Sequence, residues 1–130
     1  MELADFEQCI LDALETIPQR IRSRMENVAF VVEATARRPH SGEKPIAGHG
    51  GELLGLYQGV PLIHRGPGYQ YALPDKITIF QETIEQIAGG NDVVIRSMVH
   101  DTVLHEVAHH IGFSEEEVAV WEKKRKGRRS

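Results

Sequence analysis

The amino-terminal part of the chain has apolar residues that recur every three or four positions, at Phe6, Ile10, Leu14, Ile17 and Ile21. This spacing is typical of an α-helix that buries one stripe of side chains. Pro18 interrupts the pattern, because proline is tolerated only in the first turn of a helix. The pattern therefore predicts one helix over residues 4–16 and a shorter helix over residues 18–25.

Four short apolar segments predict β-strands. Residues 28–35 are nearly continuous in apolar and β-branched character, so we predict a buried strand. Residues 53–57 and 60–64 flank a Gln-Gly pair at a spacing that favours a hairpin, whose second arm contains a proline and therefore lies at a sheet edge. Residues 77–80, Ile-Thr-Ile-Phe, alternate between apolar and polar at the start and follow a Pro-Asp pair, so they predict a further short strand. By contrast, residues 37–51 hold two Pro and four Gly, which predicts an exposed loop.

The carboxyl-terminal half is predicted to be mainly helical. A short helix over residues 81–88 ends at a Gly-Gly pair, and Asn91 or Asp92 then caps a helix of about twenty residues that runs to Gly112. Ser114 and Glu117 have the spacing of a capping box, so a last helix is predicted to begin there. The fold class is therefore α+β, with a small mixed sheet packed on the long helix.

Length and charge narrow the class of protein. The 130 residues suffice for one domain, which we place at residues 1–121. These residues carry nine basic and 18 acidic groups, whereas the tail, residues 122–130, holds six Lys and Arg. A short basic run beside an acidic domain is usually a solvated terminus, so nucleic-acid binding is a minor hypothesis. No apolar run approaches the length of a membrane span, and the first residues do not resemble a signal peptide. We therefore expect a cytoplasmic location.

The long helix carries a group of residues suited to metal chemistry, His105-Glu106-Val107-Ala108-His109. Histidines four positions apart on a helix differ by about 40° in angle and about 6 Å in height, so both imidazoles can bind one tetrahedral zinc ion. Glu106 lies beside that face, where its carboxylate can act as a general base on a water molecule at the metal.

A catalytic zinc ion also needs a third protein ligand. A left-handed turn at Gly112 would bring the next acidic residues back towards the metal. We favour Glu115 as this ligand, followed by Glu116, because Glu117 is engaged by the capping box. The alternative is that all three carboxylates simply stabilise the amino terminus of the last helix. Asp101, one turn before His105, either orients its imidazole or is solvated.

Three segments resemble segments of a known family, the small bacterial zincin-like metallopeptidases. They are residues 105–118, His-Glu-Val-Ala-His-His-Ile-Gly-Phe-Ser-Glu-Glu-Glu-Val, residues 54–62, Leu-Gly-Leu-Tyr-Gln-Gly-Val-Pro-Leu, and residues 73–80, Leu-Pro-Asp-Lys-Ile-Thr-Ile-Phe. The resemblance implies a minimal zincin fold, a bound zinc ion and peptidase activity. It also implies that His105 and His109 are ligands and that Glu106 is the catalytic acid/base. The family usually has aspartate at the position of Glu115.

The leading hypothesis is therefore a zinc-dependent peptidase that acts on a peptide or protein substrate. We expect an extended substrate to pair with an exposed strand, for which residues 77–80 are the candidate. The alternative is a metal-stabilised protein-interaction module without turnover.

Overall fold

The computed structural model describes residues 1–23, 28–59 and 75–110. The elements within these residues are α1 (Leu3–Glu15), α2 (Gln19–Arg22), β1 (Val28–Glu33), β2 (Glu43–Ala47), β3 (Leu53–Gln58), β4 (Asp75–Phe80), α3 (Gln81–Ile87) and α4 (Asp92–His110). The predicted α+β class is confirmed, and α1, α3 and α4 lie where the apolar periodicity predicts them. The predicted last helix and the basic tail lie outside the described residues.

The four strands form one mixed sheet in the order β1-β4-β3-β2. β4 is parallel to β1, whereas β3 is antiparallel to both β4 and β2. The prediction that residues 77–80 provide an exposed edge is therefore wrong, because β4 is paired on both sides. Ile77 and Ile79 are fully buried in this central strand.

The prediction of an exposed loop over residues 37–51 is also wrong. This segment contains β2, which forms a hairpin with β3 through a turn at residues 48–52. The turn is closed by the Gly48 N–H, which donates to the Glu52 carbonyl at 2.8 Å, and Gly51 adopts a φ of 83° there. Pro45 is accommodated because β2 is an outer strand among the described strands, so one side of it needs no N–H donor. The second arm of the predicted hairpin lies outside the described residues.

Strand β1 is half-buried along its whole length rather than buried as predicted. It pairs only with β4 among the described strands, so its outer side lacks the cover that a central strand has. A connection over residues 34–42 then carries the chain past two strands to β2. Arg37 in this connection donates to both carboxylate oxygens of Glu33, at 2.9 and 3.1 Å, and of Glu43, at 2.8 and 3.0 Å. The guanidinium, together with the N–H of His40, lowers the pKa of Glu43 to about 2.

The hydrophobic core lies between the sheet and the helices. α1 packs on α4 and contacts β1, while α3 contacts α4 and β3. The buried core side chains come from the helices and from β2, β3 and β4, whereas β1 contributes only partly buried ones. They include Phe6, Cys9, Ile10, Ile77, Ile79, Ile84, Val99, Val103 and Val107. In the described part of the chain, none of the helices is long and apolar enough to cross a membrane.

Strands β3 and β4 approach closely at one position, Gly55. A Cβ atom there would overlap the carbonyl oxygen of Thr78 and lie 3.1 Å from its carbonyl carbon and 3.3 Å from Cα of Ile79. Only glycine fits without moving one strand, since these neighbours are backbone atoms. This close approach gives a structural reason for the glycine of the Leu-Gly-Leu-Tyr motif.

Candidate metal centre

Helix α4 carries the His-Glu-x-x-His motif in its last two turns. Its amino terminus is capped by Asn91, whose Oδ1 accepts hydrogen bonds from the N–H groups of Val93 at 2.9 Å and Val94 at 3.2 Å. The helix continues without interruption to His110. The backbone positions of His105 and His109 are therefore one helical turn apart, with Glu106 beside His105.

Burial of the apolar face fixes the rotation of α4. Val103 and Val107 are fully buried in the hydrophobic core, whereas His105 is exposed and Glu106 is half-buried. The side of the helix that carries His105 is consequently accessible to a metal ion and to a substrate. Two imidazole donors at this spacing are the donor type that zinc prefers, so the donors on α4 fit the ion that the sequence predicts.

The third predicted ligand, Glu115, and its alternatives Glu116 and Glu117 lie outside the described residues. Within residues 1–23, 28–59 and 75–110, no group of three His, Cys, Asp or Glu side chains has a metal-binding arrangement. The complete ligand set of His105, His109 and Glu115 therefore stays a prediction.

An open cleft of about 650 Å³ lies beside His105, between the β2–β3 hairpin and α4. Its apolar lining consists mainly of Ile46, Leu54, Ile87 and Met98, and its polar lining consists of His49, Glu52, Asp101, Thr102 and His105. The volume is within the usual range of small-molecule and peptide-side-chain pockets, roughly 300 to 1,000 Å³. The accessible face of the motif helix thus opens onto a cleft rather than onto a flat surface.

Asp101 lies one turn before His105 and lines the same cleft. Its side chain is half-buried at the edge of this open cleft. Its role in orienting the imidazole of His105 remains a prediction. Tyr57 of β3 packs against the core and is not among the residues that line the cleft.

Sequence reasoning missed the contribution of the β2–β3 turn. His49 is exposed, and both His49 and Glu52 line the cleft that holds His105. A local signal was available, because Gly50-Gly51 is a turn-forming pair between two segments that can form strands. The local sequence does not predict, however, that this turn lies across the cleft from α4.

A small mixed sheet packed on a long helix that carries His-Glu-x-x-His, with a cleft beside the motif, defines a zincin-like domain. Residues 25–124 match the zincin-like metallopeptidase family, and the chain belongs to that family. The matched region includes the whole described sheet and α4. No curated protein matches the sequence.

Proposed function

We propose that the protein is a zinc-dependent metallopeptidase that hydrolyses peptide bonds. The observation that carries the proposal is the placement of the motif: His105 is exposed on one continuous helix and lines an open cleft, with Glu106 directly after it in the sequence, in a chain of the zincin-like metallopeptidase family. The alternative, a metal-stabilised interaction module, uses the same metal site without turnover.

The proposed ligands are His105, His109 and Glu115, with Glu116 as the alternative third ligand. Zinc, when bound, supplies a Lewis acid for the substrate carbonyl and lowers the pKa of a water molecule towards 7. Three protein ligands leave one position for water or substrate, as hydrolysis requires.

Glu106 is the proposed general base. Its carboxylate accepts a proton from the attacking water and then donates that proton to the nitrogen of the leaving amine. Because Glu106 directly follows the first histidine, we expect its carboxylate to lie beside the two imidazole donors rather than among them. Half-burial limits the bulk water around this carboxylate.

Strand β2 is the proposed support for an extended substrate. Among the described strands it is paired on one side only, and its residues Ile46 and Ala47 line the cleft. Backbone pairing along such an edge gives affinity without requiring a particular sequence. Pro45 removes one donor from this edge, so pairing is expected chiefly at the end of β2 that borders the cleft.

The test combines zinc content with hydrolysis of an unstructured polypeptide. The parent should bind about one zinc per chain, and His109→Ala should lose it, because the two remaining ligands hold the ion much more weakly. Glu106→Gln should keep zinc and lose roughly 100-fold or more in rate. Glu7→Gln, the same change on the exposed side of α1, is the matched control.

Two results would contradict the proposal in different ways. An active Glu106→Gln variant would exclude Glu106 as the base. A zinc-loaded parent that hydrolyses nothing would exclude the peptidase and favour the interaction module.

The third ligand is tested separately by zinc affinity. Glu115→Ala should weaken zinc binding more than Glu116→Ala or Glu117→Ala do, if the turn at Gly112 brings the third residue after it towards the metal. A larger effect of Glu116→Ala would move the ligand by one position. If neither Glu115→Ala nor Glu116→Ala weakened zinc binding, the third donor would lie elsewhere or be water, and the carboxylates would only stabilise the last helix.

A further inference from the structure

We propose that the cleft beside His105 recognises an apolar side chain about three residues from the bond that is cleaved. The same peptide also carries a Lys or Arg that the cleft recognises. This inference rests on the proposed function, since it names the substrate class of that site. Three observations carry it: the apolar lining, its distance from His105, and the charge of the cleft.

The apolar part of the cleft is partly open. Ile46 and Leu54 are buried beneath it, while Ile87 is 44% exposed although it is a large aliphatic side chain. Met98 is half-buried and lines the same wall on α4. Covering such a surface with an aliphatic side chain removes apolar area from water, which favours binding of Leu, Ile or Met over small polar residues.

The position of this apolar surface sets the spacing. Met98 precedes His105 by seven residues on α4, which corresponds to about 10 Å along the helix axis. An extended peptide advances about 3.3 Å per residue. In a peptide that runs along α4, a side chain that contacts Met98 therefore belongs to a residue about three positions away from the peptide bond at His105.

The negative charge on the hairpin side of the cleft selects the companion residue. The carboxylate of Glu52 is half-buried and folded against the glycines of the β2–β3 turn, so that a Cβ on Gly50 would overlap it. Asp101 places a second carboxylate on the facing wall of α4. No Lys or Arg lines the cleft among the described residues. The hairpin side of the cleft, where Glu52 lies, is therefore complementary to a cationic side chain and unfavourable for an acidic one.

The experiment measures binding of three labelled ten-residue peptides to the zinc-loaded Glu106→Gln protein by fluorescence anisotropy. One peptide carries Leu and Arg, one carries Leu and Glu in place of Arg, and one carries Ser in place of Leu. The first should bind roughly tenfold more tightly than each of the others, as expected for one charge-assisted hydrogen bond or one buried aliphatic side chain.

Two variants assign the preferences to residues. Glu52→Gln should reduce the preference for Arg over Glu to about threefold or less while leaving the preference for Leu. Ile87→Gln should reduce the preference for Leu over Ser while leaving the preference for Arg over Glu. Glu7→Gln and Val93→Gln are the matched controls, since Glu7 is exposed and Val93 is 71% exposed, and neither lines the cleft.

The outcomes separate this inference from the proposed function. Binding does not require turnover, so a failed peptidase with the predicted preferences would overturn only the hydrolysis. Cleavage of all three peptides at equal rates and affinities would overturn the cleft assignment while leaving the peptidase. In the active parent, cleavage sites mapped by mass spectrometry should lie about three residues from Leu. Self-association that is lost in Ile87→Gln would assign the cleft to a second copy of the chain and also overturn the inference.

Discussion

Replacing Gly55 by alanine is the most direct test of how the sheet supports the cleft. The added methyl group would overlap the carbonyl oxygen of Thr78 and lie 3.1 Å from its carbonyl carbon. Because these atoms belong to the central strand, no side-chain rotation can relieve the overlap. Strand β3 must move away from β4 at the point where Gly55 pairs with Ile79.

The cost has two parts. Forcing an extra methyl group into a packed interior costs roughly 1 to 3 kcal/mol. Separating the strands also weakens about one backbone hydrogen bond of the ladder, which adds roughly 1 kcal/mol. The Gly55→Ala variant should therefore lose about 2 to 4 kcal/mol of its free energy of unfolding. For a domain of this size the corresponding fall in Tm is roughly 6 to 16 °C.

Thermal unfolding followed by circular dichroism, together with urea titration, measures this loss. Gly50→Ala is the matched control, because the atoms that its methyl group meets belong to the flexible side chain of Glu52. That variant should lose less than about 1 kcal/mol. If Gly55→Ala melted within about 2 °C of the parent, the close approach of β3 and β4 would not be the reason for a glycine at this position.

Two further predictions concern the frame around the site. Glu43→Gln should lower the Tm near pH 7. The difference in Tm from the parent should shrink as the pH falls from about 4.5 towards about 2. The reason is that folding lowers the pKa of Glu43, so the stabilising contribution of its carboxylate is lost as the pH falls through the folded-state pKa. Melting curves near pH 7 and pH 2 check this, and a difference that stays constant would refute it. Asn91→Ala should cost about 1 kcal/mol by removing the cap of α4, whereas Asn91→Asp should retain most of the stability. Urea titration compares the two, and equal losses would show that the side-chain cap contributes nothing.

The elements that sequence predicts well are those whose signal is local. The apolar period of α1 and of α4 is fixed by neighbours three and four residues away, so both helices lie where it predicts them. The spacing of His105, Glu106 and His109 is local for the same reason. β2 was missed because Pro45 and the nearby glycines dominate its composition, while its strand conformation depends on pairing with β3.

The order of strands in the sheet is the main thing that local pattern cannot supply. Alternation in residues 77–80 predicts a strand but says nothing about its neighbours, and the pairing on both sides of β4 comes from residues far away in the chain. The position of Glu52 beside His105 is non-local in the same sense. Its discovery requires knowing that the turn between β2 and β3 faces α4.

The central position of β4 also sets the order in which the domain can be assembled during synthesis. β4 is the last of the described strands to be made, and its pairing with β1 joins Val28 to Asp75, 47 positions apart. Closing so long a segment is entropically unfavourable, and an isolated hairpin such as β2–β3 is marginal in water. Before residue 80 leaves the ribosome, β1 and the β2–β3 hairpin therefore cannot form the four-stranded sheet, because β4 pairs between β1 and β3. The helix that carries His105 follows β4 in the chain. The motif is therefore synthesised only after all the described strands, and zinc can bind the complete site only when these strands are available to form the sheet.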